Sequence, residues 1–390
     1  MAPPMMEPSD AAPAPTALPS VWPPQSRTCG FDAGRLAAFA ARRLRAGVGP
    51  AGVRDADQVD DGGEVDKGDE VDVEIRPLSG GLEATAARVV AREKGASGDP
   101  RRLTFVVKRL HGPQRREATV YQALLHRLAP QVAPRLLAAE VVAPDTTYLY
   151  LEYVRPARAW PWNTPDAAAL VLKQLAAIHA TLPAGAYAAT LADWDYEADL
   201  CRSAVDTLEC FDRLAALDGP ADLRRSRPAL RRMVGAIPVV RRALLAAPPL
   251  GPAVLHGDVH SGNALLRAQR SGPQVVLLDW GRARLGSPLE DVSSWLQSLG
   301  GWEPAARRRH DTLLRAYLVA RGMPDRLARG LRDAYWLAGA CNALAGALRY
   351  WLSIAYGWPN AAPRARARAM HVARHHLRLI RRADAIWRGH

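Results

Sequence analysis

The chain has 390 residues, of which 48% are hydrophobic and 23% charged, a composition typical of a globular protein large enough for two or three structural units. Its formal net charge is +13, yet only four of its 52 basic residues are lysines, and we interpret most of this charge as solvated arginine with no specific nucleic-acid partner. No uncharged apolar run reaches membrane-spanning length, and the start of the chain lacks the pattern of a secretory signal, so we expect no membrane partner.

The four cysteines form no CxxC pair and no cluster with zinc-ligand spacing. Unpaired thiols are usual in a reducing compartment, and we therefore expect a cytoplasmic protein. The sequence leaves the oligomeric state open.

Two segments precede the first predicted strand. Residues 1–30 are rich in Pro, Ala and Ser and are expected to form a disordered tail, because they cannot bury enough apolar surface to fold alone. Residues 31–70 are predicted to contain a short amphipathic helix, from Phe31 to Arg45, followed by an acidic, glycine-containing linker.

From Val71 onward, short apolar runs separated by Gly-bearing turns predict a strand-rich unit over residues 71–154. Residues 155–390 are predicted to be mostly helical, beginning with Asp166–Leu182. The sequence therefore predicts an α+β fold with a small strand-rich part and a larger helical part. The predicted strands are Val71–Leu78, Ala86–Arg92, Leu103–Leu110, Val141–Ala143 and Thr147–Val154, with one helix, Gln114–Leu128, between the third and fourth.

Two short motifs carry the strongest chemical signal. HGDVHSGN spans residues 256–263 and LLDWG spans residues 277–281, and in each motif the aspartate follows an apolar, strand-like run. Phosphoryl transfer needs one carboxylate to accept or orient the proton of the attacking hydroxyl, and a second carboxylate with an amide oxygen to hold magnesium. Asp258 and Asn263 have the spacing of the catalytic loop in protein kinases, and Asp279 matches the metal-binding Asp-x-Gly motif.

These motifs resemble those of the aminoglycoside phosphotransferase and choline kinase-like family of small-molecule kinases, and the similarity extends from about Val71 to Val292. The resemblance implies a protein-kinase-like two-lobed fold, with residues 71–154 as the N-lobe and residues 155–390 as the C-lobe. It also implies that a phosphate moves from ATP, or another NTP, to a hydroxyl of a small molecule. The implied roles are catalytic base for Asp258 and Mg²⁺ ligand for Asn263 and Asp279.

The N-lobe offers two segments for the nucleotide. Ser79, Gly80 and Gly81 join the first two predicted strands, and their backbone N–H groups can form an anion-binding nest for phosphates. A plain hairpin turn is the alternative for this loop. The last strand leads into the expected interlobe hinge, where backbone groups can pair with adenine. The residues assigned to this hinge are Glu152, Tyr153 and Val154.

Lys108 lies among apolar residues in the third predicted strand, where the alternation of side chains can turn it toward a cleft. Glu117 follows in the predicted helix. The two residues match the ion pair that positions nucleotide phosphates in protein-kinase-like folds. The alternative for both is a solvated surface position, and Arg116 is a second candidate for the role of Lys108.

Other polar residues near the motifs are interpreted as structural. His179 is expected to be a packing histidine, His256 and His260 to shape the loop around Asp258, and Asp291 to cap a helix or hold a loop. Several aromatic residues are candidate walls of an acceptor pocket, although most are expected to be ordinary core. They are Trp302, Tyr335, Trp336, Tyr350, Trp351, Tyr356 and Trp358.

Residues 303–390 contain only five acidic residues and many arginines. Carboxylates normally hold a polycationic acceptor, so we expect polycationic aminoglycosides to be poor acceptors. A few well-placed acids, such as Glu290, Glu303 or Asp311, would reverse this expectation.

Two other classes of function compete with an active kinase. A pseudokinase that acts as a nucleotide-binding adaptor has no chemical need for Lys108, Asp258, Asn263 and Asp279 together, and all four are present. A nucleic-acid-binding protein would fit the net charge, but no helix-turn-helix, zinc-finger or RNA-binding motif supports it.

Overall fold

A computed structural model of the chain places most of the predicted elements. The predicted tail, the acidic linker and the loop that holds Ser79, Gly80 and Gly81 lie outside the described residues. The described residues are 30–46, 71–78, 85–93, 101–125, 132–157, 165–182, 184–215, 221–246, 250–270, 272–300, 308–357 and 362–389.

A five-stranded antiparallel sheet follows the first helix, α1 (Ala33–Arg45). The strands are β1 (Val71–Pro77), β2 (Thr85–Glu93), β3 (Arg102–His111), β4 (Leu136–Ala143) and β5 (Thr146–Glu152). They run in the spatial order β1-β2-β3-β5-β4. Phe39 of α1 stacks on Tyr150 of the sheet and meets Phe105 edge to face, so the amphipathic helix predicted here covers one face of the sheet.

The other face of the sheet points toward the helical part of the chain. On β3, Phe105 and Val107 are buried under α1, whereas Val106 and Leu110 pack against the main core. Because successive side chains of a strand alternate between faces, Lys108 shares the second face with Val106 and Leu110. This alternation is what turns the lysine away from α1 and toward the cleft.

Two predicted elements differ from the structure by more than two residues at one end. The helix predicted from Gln114 to Leu128 is the shorter α2 (Arg116–Ala123), which begins later than predicted because a single 3₁₀ turn containing Pro113 precedes it. The fourth strand begins at Leu136, five residues before the predicted start at Val141. It is an edge strand with exposed positions, and its two adjacent alanines weaken the alternating pattern.

The rest of the chain is mostly helical, and the α+β prediction is confirmed. The helices are α3 (Pro165–Thr181), α4 (Ala184–Leu191), α5 (Tyr196–Ala215), α6 (Ala221–Ala246), α7 (Pro288–Gly300), α8 (His310–Ala320), α9 (Arg329–Asn342), α10 (Leu348–Leu352) and α11 (Pro363–Trp387). Among the described residues, no helix combines the length and apolar character needed to cross a bilayer.

Two small antiparallel strand pairs interrupt the helices and hold the chemical motifs. The strand β6 (Ala253–Leu255) leads into the HGDVHSGN segment and pairs with β9 (Arg284–Gly286). The strand β7 (Ala264–Arg267) follows that segment and pairs with β8 (Gln274–Leu277), which leads into Asp279. Both motif aspartates therefore lie just beyond the ends of short buried strands, as the sequence pattern predicts.

Candidate active site

The loop that carries Asp258 has a backbone shape that only glycine can adopt at its centre. Gly257 has φ +85°, and a Cβ at this position would overlap the carbonyl oxygen of Arg282. A positive φ costs an L-residue roughly 1–2 kcal/mol even without such an overlap. The glycine thus allows the loop to pass directly against the segment that follows Asp279.

His256 fixes the same loop from its other side. Its ring Nε2 donates to the carbonyl of Leu278 at 2.8 Å, and its Nδ1 accepts the backbone N–H of Asp258 at 3.2 Å. These two contacts require the neutral ring with its proton on Nε2, and burial lowers the pKa of His256, which favours that form. The histidine links the two motif loops, as expected of a loop-shaping residue.

Asp291, in the first turn of α7, holds the loop from below. It is 1% exposed and accepts the backbone N–H groups of His256 at 2.7 Å and Gly257 at 2.9 Å. His179 contacts the same carboxylate at 3.2 Å and Tyr317 at 2.9 Å. Burial alone would raise the pKa of Asp291, but the hydrogen bond with His179 and the nearby positive charge of Arg284 hold that pKa below its usual value. The carboxylate remains charged and stabilises the loop, so both residues have the structural roles predicted for them.

A second buried cluster, the arginine–glutamate cluster of Arg241, Glu290 and Arg284, lies beside the loop. Glu290 forms ion pairs with both arginines, and its contact with Arg284 is 2.8 Å. Arg284 also donates to the carbonyl of Gly257 at 2.9 Å, and its guanidinium stacks on Tyr196 at 3.8 Å. Removing one partner from such a cluster leaves an uncompensated buried charge. Sequence reasoning missed this cluster, because its arginines resemble the many surface arginines of the chain.

Asp258 and Asn263 lie together at the rim of this loop. The Asp258 side chain is 38% exposed, and its Oδ2 lies 3.8 Å from the His260 ring. The Asn263 amide nitrogen donates to the Asp258 carbonyl at 3.0 Å and lies 3.4 Å from its carboxylate. Because the nitrogen of Asn263 is engaged with the loop, its amide oxygen is left as the group that could bind a cation.

Asp279 is the one described residue other than glycine that has a positive φ, at 64°. Such a conformation costs free energy and persists where the surrounding structure enforces it, which is common at functional sites. The Asp279 carboxylate is 48% exposed and lies 3.1 Å from the Lys108 ammonium. Burial opposes ionisation of Asp279, but the charge of Lys108 and its hydrogen bond lower the pKa of Asp279 below the usual value.

Lys108 joins the sheet to the helical part of the chain. Its ammonium forms an ion pair with Glu117 on α2 as well as the contact with Asp279, so the two predicted partners are brought together. Burial would lower the pKa of Lys108, but the two carboxylates outweigh it and raise the pKa, which keeps the ammonium charged. Neither residue is a solvated surface residue, since the side chains of Lys108 and Glu117 are 13% and 3% exposed.

Arg116, the second candidate for the role of Lys108, has different partners. Its side chain binds Asp193 at 2.9 Å and the Gly281 carbonyl at 3.0 Å, and its guanidinium lies over the Trp194 ring. Arg116 therefore attaches the connection between α4 and α5 to the segment that follows Asp279. The connection carries Asp193 and Asp195, which the prediction about the acceptor did not consider, because it counted acids only from residue 303 onward.

The predicted hinge residues differ in what their groups can do. The backbone N–H of Glu152 donates to the Arg135 carbonyl at 2.9 Å, and its side chain binds Arg267 at 3.0 Å, so its N–H is already occupied. The chain leaves the sheet after Glu152, and Tyr153 lies under the Arg88 guanidinium at 4.5 Å. Glu152 therefore cannot offer its backbone N–H to adenine.

The candidate aromatic walls are mainly packing residues where the structure describes them. Tyr335 is 1% exposed, and its hydroxyl accepts from Gln297 at 2.8 Å, so this ring belongs to the core. Trp336, Tyr350, Trp351 and Tyr356 are half-buried. Trp302 and Trp358 lie outside the described residues.

Comparison with known proteins identifies a family and two related folds. A model of the phosphotransferase enzyme family (APH) matches residues 74–342. The structure of an ethanolamine kinase from Plasmodium vivax aligns with a TM-score of 0.50 and 12% identity. The alignment covers 77% of this chain and 80% of the ethanolamine kinase chain. A candidate aminoglycoside phosphotransferase from Ralstonia eutropha JMP134 aligns with a TM-score of 0.51 and 15% identity, covering 82% of this chain and 93% of its own.

No curated protein matches the chain in sequence. At identities of 12% and 15%, the two structural alignments show a shared fold, and the predicted protein-kinase-like architecture is confirmed.

Proposed function

The chain belongs to the phosphotransferase enzyme family, and we propose on this basis that it transfers the γ-phosphate of ATP to a hydroxyl of a small molecule. The observation that carries the proposal is Lys108, which contacts Glu117 and Asp279 at once. This arrangement supports a two-lobed division, with residues 71–154 as the nucleotide-binding N-lobe and residues 155–390 as the C-lobe.

Asp258 is the proposed catalytic base. Its carboxylate is accessible at the rim of a loop whose backbone is held by His256, Asp291 and Arg284. An accessible carboxylate on a fixed loop can accept the proton of an acceptor hydroxyl as the oxygen attacks the γ-phosphate. The Lys108 ammonium, kept charged by its two carboxylate partners, is suited to hold the nucleotide phosphates.

Asn263 and Asp279 fit a magnesium site. Magnesium prefers hard oxygen ligands and is usually held by one or two protein groups together with substrate phosphates. Asp279 supplies a carboxylate with a lowered pKa, and Asn263 supplies an amide whose nitrogen is engaged elsewhere. When bound, the ion neutralises negative charge on the phosphates. Within the chain, the left-handed backbone at Asp279 and the hydrogen bonds of Asn263 keep both oxygen donors in place.

The proposed acceptor is neutral or weakly charged. Glu290, one of the acids that could have received a cationic acceptor, is buried and paired with Arg241 and Arg284. Asp311 is paired with Arg332 at 2.9 Å, and Glu303 lies outside the described residues. In the connection between α4 and α5, Asp193 binds Arg116 and Asp195 accepts the N–H of Ala198. Each of these described carboxylates is already engaged within the chain, which weakens the case for a polycationic acceptor.

The test is a competitive panel of aminoglycosides, choline-like amines, amino alcohols, sugars and macrolides, with ATP or GTP as donor and Mg²⁺ present. Mass spectrometry locates the transferred phosphate, and the Asp258→Asn variant supplies the background. We expect a phosphate ester on a hydroxyl of a neutral or weakly charged compound, with ATP as the better donor. Efficient phosphorylation of kanamycin-like compounds at low concentration would contradict the acceptor class. Nucleotide binding without transfer to any compound would favour the adaptor alternative.

A further inference from the structure

A concave site lies between α8, α9 and α11 in the helical region. Its volume is about 500 Å³, and we call it the basic pocket. Four arginines line it together with one aspartate and one tryptophan. These residues are Arg308, Arg332, Arg378, Arg382, Asp311 and Trp336.

Helix geometry explains why these side chains converge. Arg332 and Trp336 are four residues apart on α9, and Arg378 and Arg382 are four residues apart on α11, so each pair lies on one helix face. Arg308 approaches from the start of α8. Residues from three helical segments therefore line the basic pocket, which is not a row of arginines along one surface helix.

The residues that line the basic pocket carry more positive than negative charge. Asp311 pairs with Arg332 at 2.9 Å, which neutralises one guanidinium, and Arg308 and Arg382 bring further positive charge to the same cavity. Like charges gathered in a concave site repel one another and raise the local positive potential. An anion placed among them would relieve this repulsion.

Two hydrogen-bond donors of the basic pocket also lack acceptors. The indole N–H of Trp336 and the Nε–H of Arg332 are buried and have no partner among the described residues. Buried donors without acceptors cost free energy, so such groups usually mark a bound ion, water or ligand. The Arg382 guanidinium lies over the Trp336 ring at 3.9 Å, a contact that holds both side chains at the pocket wall.

The floor of the basic pocket is held by a buried chain of hydrogen bonds. His375 contacts Gln297 at 2.6 Å, Gln297 donates to Tyr335 at 2.8 Å, and the Tyr335 hydroxyl lies 3.3 Å from His310. His310 in turn contacts the Leu296 carbonyl at 3.1 Å. Both histidines line the cavity and are 7% exposed. A site with a fixed floor loses little conformational entropy when a ligand binds.

We propose that the basic pocket binds a phosphate-bearing anion, separately from the catalytic cleft. Guanidinium groups present paired N–H donors that match the oxygens of a phosphate, which makes phosphate a better fit than a single carboxylate. The two sites lie at different positions along α7. Asp291 holds the catalytic loop, and Gln297, which contacts the pocket residue His375, follows it by six residues, or about 9 Å along the helix. The proposal does not depend on the catalytic activity.

The test is isothermal titration of the full chain with inorganic pyrophosphate at constant ionic strength. We expect Arg382→Ala and Arg308→Ala each to weaken the affinity about tenfold or more, because each removes one cation from the pocket. Arg308 is exposed, so its replacement reports on binding even where Arg382→Ala fails to fold. Arg381→Ala, at an exposed position of the same helix, is the matched control and is expected to change nothing.

The Lys108→Ala variant separates the two possible anion sites, since it removes a cation of the catalytic cleft. Pyrophosphate affinity that survives Lys108→Ala and falls in Arg308→Ala supports the basic pocket. Three results would overturn the proposal: no measurable binding, binding that is lost in Lys108→Ala, or affinities in Arg308→Ala and Arg382→Ala that equal that of Arg381→Ala.

Discussion

Replacing Asp291 by asparagine tests whether the buried carboxylate holds the catalytic loop. One carboxylate oxygen of Asp291 accepts from the backbone of His256 and from His179, and the other accepts from the backbone of Gly257. Asparagine retains one acceptor oxygen but presents an NH₂ group where the second oxygen was. One of the buried donors is therefore left facing another donor.

The expected cost follows from these three contacts. A hydrogen bond to a charged acceptor contributes about 1.5–3 kcal/mol, and a buried donor left without an acceptor costs about 1–3 kcal/mol. We therefore expect Asp291→Asn to lower the free energy of unfolding by about 2–4 kcal/mol. We also expect phosphoryl transfer to fall about 10–100-fold, because a small displacement of Asp258 is costly for a reaction that depends on positioning.

The assay is urea-induced unfolding followed by tryptophan fluorescence, together with turnover of the acceptor found in the panel. The matched control is Asp199→Asn, since Asp199 forms an exposed ion pair with Arg202 at 3.0 Å and such pairs contribute about 0–1 kcal/mol. Equal unfolding midpoints for the two variants would refute the proposed role of Asp291 in holding the loop.

Three further predictions concern the ion pair, the metal and pH. Lys108→Ala is expected to reduce transfer about 10²–10³-fold in steady-state kinetics, since it removes a positioned cation, whereas Lys173→Ala, on α3, should have little effect. Asp279→Ala should shift a magnesium titration of turnover to higher magnesium concentrations, because a full negative charge is lost from the site. An unchanged curve would show that Asp279 is not a metal ligand. Burial lowers the pKa of His376 to about 4, below the unfolded value of about 6.5. The contribution of His376 to the free energy of unfolding is complete above about pH 6.5 and is lost as the pH falls toward 4. We expect this loss to be about 2 kcal/mol between pH 7 and pH 5. His376→Leu should flatten this dependence in urea unfolding, and the exposed control His371→Leu should not.

The fold was predictable because its signals are local. Alternation in β3 and the apolar face of α1 predicted the sheet and the helix that covers it, and an apolar run before each motif aspartate predicted the strand ends. The contact of Lys108 with Glu117 was predicted from the match of these two residues to the ion pair of protein-kinase-like folds, and the structure contains this ion pair. The prediction of the edge strand β4 was too short, because Ala138 and Ala139 contribute little to an alternating pattern.

The supporting contacts of the loop were not predictable from sequence. Arg241 lies in an arginine-rich helix and resembles its surface neighbours, yet it is buried against Glu290. Only tertiary packing decides which arginine of a helix turns inward. The left-handed backbone of Asp279 is likewise imposed by the surrounding structure, since no glycine occupies that position.

The most direct test of the proposed function compares two quantities in the Asp258→Asn variant, phosphoryl transfer and affinity for MgATP. Asparagine retains the size of the side chain but cannot accept the hydroxyl proton as a carboxylate does. We expect a loss of transfer of about 10²–10⁴-fold with nearly unchanged nucleotide affinity. Near-wild-type transfer to the true acceptor by Asp258→Asn would contradict it.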